Sequence, residues 1–226
     1  MRTGSERISL AVSRCWRPRS TVSPVPRPPR LEIPGAQYHV NSTGCAERTI
    51  FRDADDRISF LTILKDCIRD QAWMCLQFCV LGTHYHLLLE TPNPTLIAGM
   101  QKLNYRYARW FNRRYGTSGA VFKSRYHAGL IEGQGHLLEV CRYIALNPVR
   151  AGLCSLPEDW RWSSYQGTLG VGRAFPFVAS NELLQLFDAD PAAARAQLRR
   201  FCEDGLAEAT DAGAVPGMCQ APVVGC

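Results

Sequence analysis

The sequence predicts an α+β fold: a ferredoxin-like antiparallel sheet with helices packed on one of its faces, followed by a small helical C-terminal extension. Three observations carry that reading. Short stretches of alternating apolar and polar residues are interleaved with longer stretches of helical period. Their order is strand, helix, strand, strand, helix, strand, helix. Two of the strand-like stretches are separated only by Gly82 and Thr83, the kind of pair a hairpin requires.

In chain order, residues 37–41 alternate, with Tyr38 and Val40 on one face, and read as the first strand. Residues 53–70 open on acids and carry Ile58, Leu61, Leu64 and Ile68 at helical spacing. Lys65 and Arg69 stand near the end, where the helix dipole favours cations. Residues 73–81 and 84–90 are the hairpin strands. A long helix follows Pro94 and runs to about residue 114, with Leu96, Met100, Leu103, Tyr107 and Trp110 as its apolar stripe. Residues 121–131 are mostly extended, and residues 134–146 form a third helix that Pro148 and Gly152 should stop. Residues 181–187 and 191–203 read as helical, and residues 207–226, rich in small residues, as loose. The expected organisation is a disordered Arg/Pro-rich tail over 1–30, one domain over 31–170, and an extension over 171–226.

The formal charge of +6 on 226 residues is distributed unevenly. Residues 1–30 hold seven arginines and one acid, which accounts for the whole excess, and residues 31–226 sum to zero. No apolar run reaches the roughly 20 residues of a membrane-spanning helix, and the apolar patch from Ile8 to Val12 is too short for a signal-peptide core, so export is not expected. Ten scattered cysteines with no CxxC pair suit a reducing compartment, so a cytoplasmic location is expected.

Three constellations carry chemistry. His84 and His86 flank Tyr85 on a strand of leucines, so alternation puts both imidazoles on one face, where they can reach one metal ion. The pattern fits two unrelated histidines equally well. Tyr143 and Asn147 lie one turn apart on the third helix, with His136 and Glu139 continuing that face; they offer a phenolic nucleophile and an oxygen ligand. Their bland alternative is a core-bordering tyrosine and a pre-proline asparagine. Between residues 101 and 131 there is no acid, and Lys102, Arg106, Arg109 and Arg113 form a helical stripe, with Lys123 and Arg125 beyond it. Tyr105, Phe111 and Tyr126 are interleaved, a combination that suits a phosphate backbone and its bases.

The segments Pro34-Gly35-Ala36-Gln37-Tyr38-His39-Val40, His84-Tyr85-His86-Leu87-Leu88-Leu89-Glu90-Thr91-Pro92, Phe122-Lys123-Ser124-Arg125-Tyr126 and Cys141-Arg142-Tyr143-Ile144-Ala145-Leu146-Asn147-Pro148-Val149-Arg150-Ala151-Gly152, with Trp162-Ser163-Ser164-Tyr165, resemble the REP-associated tyrosine transposases. Those are relatives of the single-tyrosine HUH (IS200-like) transposases, and the resemblance covers about residues 27–170. It implies a single-stranded DNA endonuclease and strand transferase working near palindromic hairpins, and is compatible with a homodimer. It further implies that His84, His86 and Asn147 hold Mg²⁺ or Mn²⁺ and that Tyr143 is the nucleophile, leaving a 5′-phosphotyrosyl link. Tyr85 stands where the family usually has an aliphatic residue, and is expected on the core side of the sheet. Two other readings stay open at this stage: a catalytically silent, domesticated DNA-hairpin-binding protein, and a hydrolytic metalloenzyme recruiting His136 or His39 as a further ligand.

Overall fold

Four strands, β1 (Ala36–Thr43), β2 (Met74–Val80), β3 (His84–Thr91) and β4 (His127–Leu130), form one sheet in the order β2-β3-β1-β4, with every neighbouring pair antiparallel. Between and after them run α1 (Ala54–Gln71), α2 (Leu96–Tyr115), α3 (Gly133–Arg150), α4 (Tyr165–Leu169), α5 (Ser180–Leu184) and α6 (Pro191–Asp211). This computed structural model describes residues 32–211, with side chains through residue 206. The expected tail over 1–30 and most of the loose segment after 207 lie outside the described residues. The strand order is the ferredoxin-like one that the sequence predicts.

Helices cover both faces of the sheet rather than one. On the first face, α1 and α2 pack over Tyr38, Val40, Phe78, Tyr85, Leu87 and Leu89. On the second, Leu137, Cys141 and Ile144 of α3 cover Leu76, Cys79, Leu81 and Leu88. Leu169, Leu183, Leu184, Leu198 and Cys202 from the C-terminal helices complete that second core. A β-strand alternates its side chains, so a sheet whose strands carry apolar residues at both parities must be covered twice.

The helices start and stop for identifiable reasons. Asp53 caps α1 by accepting the Asp56 N–H at 3.1 Å. The buried side of α1 is Phe60, Leu61, Ile63, Leu64, Cys67 and Ile68, whereas Ile58, expected in the stripe, is 47% exposed. The asymmetry follows from Asp56, which is fully buried and turned toward α2. Its carboxylate accepts from the Arg52 N–H (2.7 Å), Arg114 (2.7 Å) and the Tyr115 hydroxyl (2.9 Å). In α2, Phe111 takes the fully buried position and Trp110 stays half-buried. Gly99 sits directly under the Trp73 indole, which a side chain there would strike. Extended structure over 121–131 is confined to β4. The chain before it docks on the end of β1 through the Lys123 N–H to the Thr43 carbonyl (2.9 Å) and the Cys45 N–H to the Val121 carbonyl (2.8 Å).

Pro148 does not stop α3, which continues to Arg150. Proline removes one N–H, but the φ it fixes is helical, and burial of Leu146, Asn147 and Pro148 holds the turn. Termination falls at Gly152, whose φ of +66° allows the Leu153 N–H to reach the Pro148 carbonyl and its own N–H the Val149 carbonyl, both at 2.9 Å. The seven cysteines among the described residues are free thiols, and no helix there is long and apolar enough to cross a membrane.

Candidate active site

The register of β1 on β3 sets His39 opposite Leu88 and Asn41 opposite His86, so His39 lies diagonally across from His86 on the same face. His84 and His86 project toward α3, as alternation requires, while Tyr85 between them goes to the α1/α2 core. It is fully buried there, and its hydroxyl donates to Asn104 Oδ1 at 2.6 Å. The large residue between the histidines is thus accommodated, on the side expected for it. From α3, Tyr143 meets the His86 ring edge-on at 5.4 Å and the His39 ring at 5.6 Å. One turn on, Asn147 is 7% exposed and stands beside His84. The structure therefore brings His84, His86, Tyr143 and Asn147 together, with the nucleophile candidate half-buried among imidazoles.

The hydrogen bonds of the two strand histidines are lopsided. His86 Nδ1 shares a hydrogen bond with His39 Nε2 at 3.0 Å, and His84 Nδ1 shares one with Thr83 Oγ1 at 2.9 Å. The Nε2 atoms of both are buried with no hydrogen-bonding partner. Burial pushes His86 well below the usual imidazole range, aided by the neighbouring His39 and His84. Burial also lowers His84, and Asn147 opposes that shift although it makes no hydrogen bond of normal geometry to Nε2. His39 falls to about 4, from desolvation first and then from His127 and His136. All five histidines of the chain consequently influence one surface, although His127 and His136 are exposed at its edge.

Neutral imidazoles with bare, buried Nε2 atoms are what a divalent cation binds, and an unsatisfied buried nitrogen is costly unless something fills it. Among the described residues, no three His, Cys, Asp or Glu side chains form a metal cluster of their own. A two-histidine site must take its further protein ligand from another residue type, and the Asn147 amide oxygen is of the right kind. By this test, the residues present fit a divalent ion held by two nitrogens and an oxygen.

The basic residues are divided. The α2 stripe lies across the sheet from the histidines, because α2 packs on the opposite face. Lys102 is paired with Asp70 at 2.7 Å and Arg106 with Asp66 at 2.9 Å, while Arg109 and Arg113 are exposed. Of the interleaved aromatics, Phe111 and Tyr126 are core residues and only Tyr105 is open to solvent. Lys123 and Arg125 are exposed in the segment docked on Thr43, the partner of His84 in the sheet. Two further residues stand there: Arg150, which no pattern assigned to the site, and His39, which was weighed only as a further ligand of a hydrolytic metalloenzyme. Arg150 lies over the Tyr143 ring at 5.5 Å, and His39 touches both His86 and Tyr143. The parity of His39, opposite to Tyr38 and Val40, was the available signal.

Comparison with known proteins bears on this geometry. Among solved structures, the chain is similar to that described as "Structure of the REP associates tyrosine transposase bound to a REP hairpin". The match has a TM-score of 0.56 and 16% identity over 66% of this chain and 87% of that one. At that identity the likeness is one of fold. A putative transposase from Deinococcus radiodurans R1 also matches, with 18% identity over 52% of this chain and 95% of the other, at a TM-score of 0.38, too low to bear on the fold. No curated protein matches. The family model "Transposase IS200 like" matches residues 33–147, just over half of the chain and a span running from the first strand through Asn147. This chain belongs to the IS200-like transposase family.

Proposed function

We propose that this transposase is a metal-dependent single-stranded DNA endonuclease and strand transferase with Tyr143 as its nucleophile. The observation that carries the reading is the pair of orphaned, buried Nε2 atoms on His84 and His86 with Tyr143 packed against one ring and Asn147 beside the other. His84, His86 and Asn147 would hold Mg²⁺ or Mn²⁺. Bound there, such an ion would supply Lewis-acid polarisation of a phosphate and stabilisation of transition-state charge.

The chain's own residues account for the rest. The Tyr143 oxygen attacks phosphorus and the bond from phosphorus to the 3′ oxygen breaks. The 3′ oxygen takes up a proton, and the 5′ phosphate remains on tyrosine. Because that phosphodiester is kept rather than hydrolysed, a later 3′-OH can reclaim it, which is strand transfer. A phenol needs activation to act as a nucleophile, and the Arg150 guanidinium, 5.5 Å from the Tyr143 ring centre, brings positive charge beside it. The solved structure with a REP hairpin supports a hairpin as the DNA recognised. Lys123 and Arg125 are the phosphate contacts nearest the His84 end of the sheet. Arg109 and Arg113 are the members of the α2 stripe open to a backbone, and Lys102 and Arg106 would first have to leave Asp70 and Asp66.

The test is a labelled single-stranded hairpin oligonucleotide incubated with protein and Mn²⁺. A covalent protein–DNA adduct is expected from the wild type and none from Tyr143→Phe, which keeps the ring packing and loses only the hydroxyl. Undiminished cleavage by that variant would overturn the assignment of the nucleophile.

A further inference from the structure

His39 is the one buried histidine to which the proposed chemistry gives no task, and its position is specific. Its Nε2 lies 3.0 Å from His86 Nδ1, the two rings are stacked at 5.2 Å with an interplanar angle of 26°, and the His39 ring also meets Tyr143. It is 8% exposed, and His86 is 3% exposed, so water does not compete for the bond they share. A neutral imidazole carries one ring proton. Placed on His86 Nε2, that proton would be a buried donor with no acceptor, since Nε2 has no partner. Placed on Nδ1, it is donated to His39 Nε2, and His86 Nε2 becomes a bare lone pair on the face shared with His84 and Asn147.

We propose that His39 is a positioning residue that accepts the Nδ1–H of His86, holding the ring in the tautomer and orientation whose Nε2 can ligate a divalent cation. Histidine ligands to metals characteristically donate their second ring N–H to an acceptor, which fixes the tautomer and strengthens the ligand. Thr83 occupies the corresponding place for His84, at 2.9 Å from Nδ1, but its hydroxyl can donate as well as accept. His39 also bridges the ligand and the nucleophile candidate, so its ring sets the distance between them. The inference rests on the metal-binding reading above.

Two measurements test it. The first is the nitrogen-15 imidazole spectrum of the metal-free wild-type protein at pH 7.5. The expected result is a protonated Nδ1 and an unprotonated Nε2 for His86; the reverse tautomer overturns the proposal and needs no variant that might fail to fold. The second is Mn²⁺ affinity, followed by electron paramagnetic resonance, in His39→Phe and His39→Gln. His39→Phe should weaken binding by roughly 10- to 100-fold, and His39→Gln, which restores an acceptor, should recover most of it. Affinity unchanged in His39→Phe, or lost equally in both variants, overturns the tautomer role. If the wild type binds no more Mn²⁺ than His84→Ala does, it is the metal reading that fails, and the nitrogen spectrum still decides what His39 does.

Discussion

The histidine face should make the metal-free protein sensitive to mild acid, and His39→Gln isolates the size of that effect. Burial, with His127 and His136 adding to it, lowers the His39 pKa from 6.5 to about 4. A histidine depressed in this way binds fewer protons folded than unfolded. Its penalty is absent above 6.5, grows as the pH falls through the window from about 6.5 to about 4, and levels off below that. Proton linkage with those two values gives a loss of about 2 kcal/mol between pH 7.5 and pH 5, contributed by His39 alone. His84 and His86 are shifted in the same direction and add to the loss in both proteins. Removing His39 also relieves part of the depression on His86, so it reinforces the difference rather than masking it. The assay is urea unfolding of wild type and His39→Gln at pH 7.5 and 5.0 with a chelator present, comparing the pH-dependent loss in each. The wild type should lose about 2 kcal/mol more than the variant. Equal losses would refute the claim that this imidazole is buried in its neutral form.

Two further variants probe the opposite face. Arg114→Ala takes the cation from the fully buried Asp56, which keeps the Arg52 N–H and the Tyr115 hydroxyl, and should cost about 2 kcal/mol in denaturant unfolding at pH 7.5. Gly99→Ala drives a Cβ into the rigid indole of Trp73, which is anchored by its Nε1–H to Thr95 Oγ1 at 2.9 Å. The clash should lower stability by about 1 to 3 kcal/mol in the same measurement.

Much of this arrangement was legible in the sequence, for reasons that particular residues make clear. The period of two around His84-Tyr85-His86 gave both the strand and its two faces, and the spacing of four between Tyr143 and Asn147 gave their shared side of α3. What periodicity does not encode is which sheet face a helix covers, so α3, expected on the same face as α1 and α2, packs on the other. Ile58 has apolar character and helical spacing, yet rotation of α1 is decided by the buried Asp56 cluster that reaches Arg114 and Tyr115. The surroundings of the basic stripe were hidden in a similar way. An acid-free stretch along the chain shows nothing of acids brought beside it by folding, and Asp66 and Asp70 of α1 neutralise Arg106 and Lys102. The contact of His39 with His86 was hidden because the two are far apart in sequence: only the β1–β3 register places them diagonal to each other.

The strongest argument for chemistry on the α3 face is a pair of neighbouring side chains in a single strand. Folding selects against buried polar atoms without partners, since each costs about 1 to 3 kcal/mol. On the core face of β3, the Tyr85 hydroxyl is bonded to Asn104, whereas the Thr91 hydroxyl at the strand end is buried without a partner. On the other face, one residue to either side of Tyr85, the Nε2 atoms of His84 and His86 are both left without partners. Both faces of the strand are packed under helices. Leucines at 84 and 86 would fill the space without leaving polar atoms unsatisfied. Two such costs side by side, on neighbouring imidazoles next to Asn147 and Tyr143, are expected where an external group completes the bonding, and bare Nε2 atoms suit a cation.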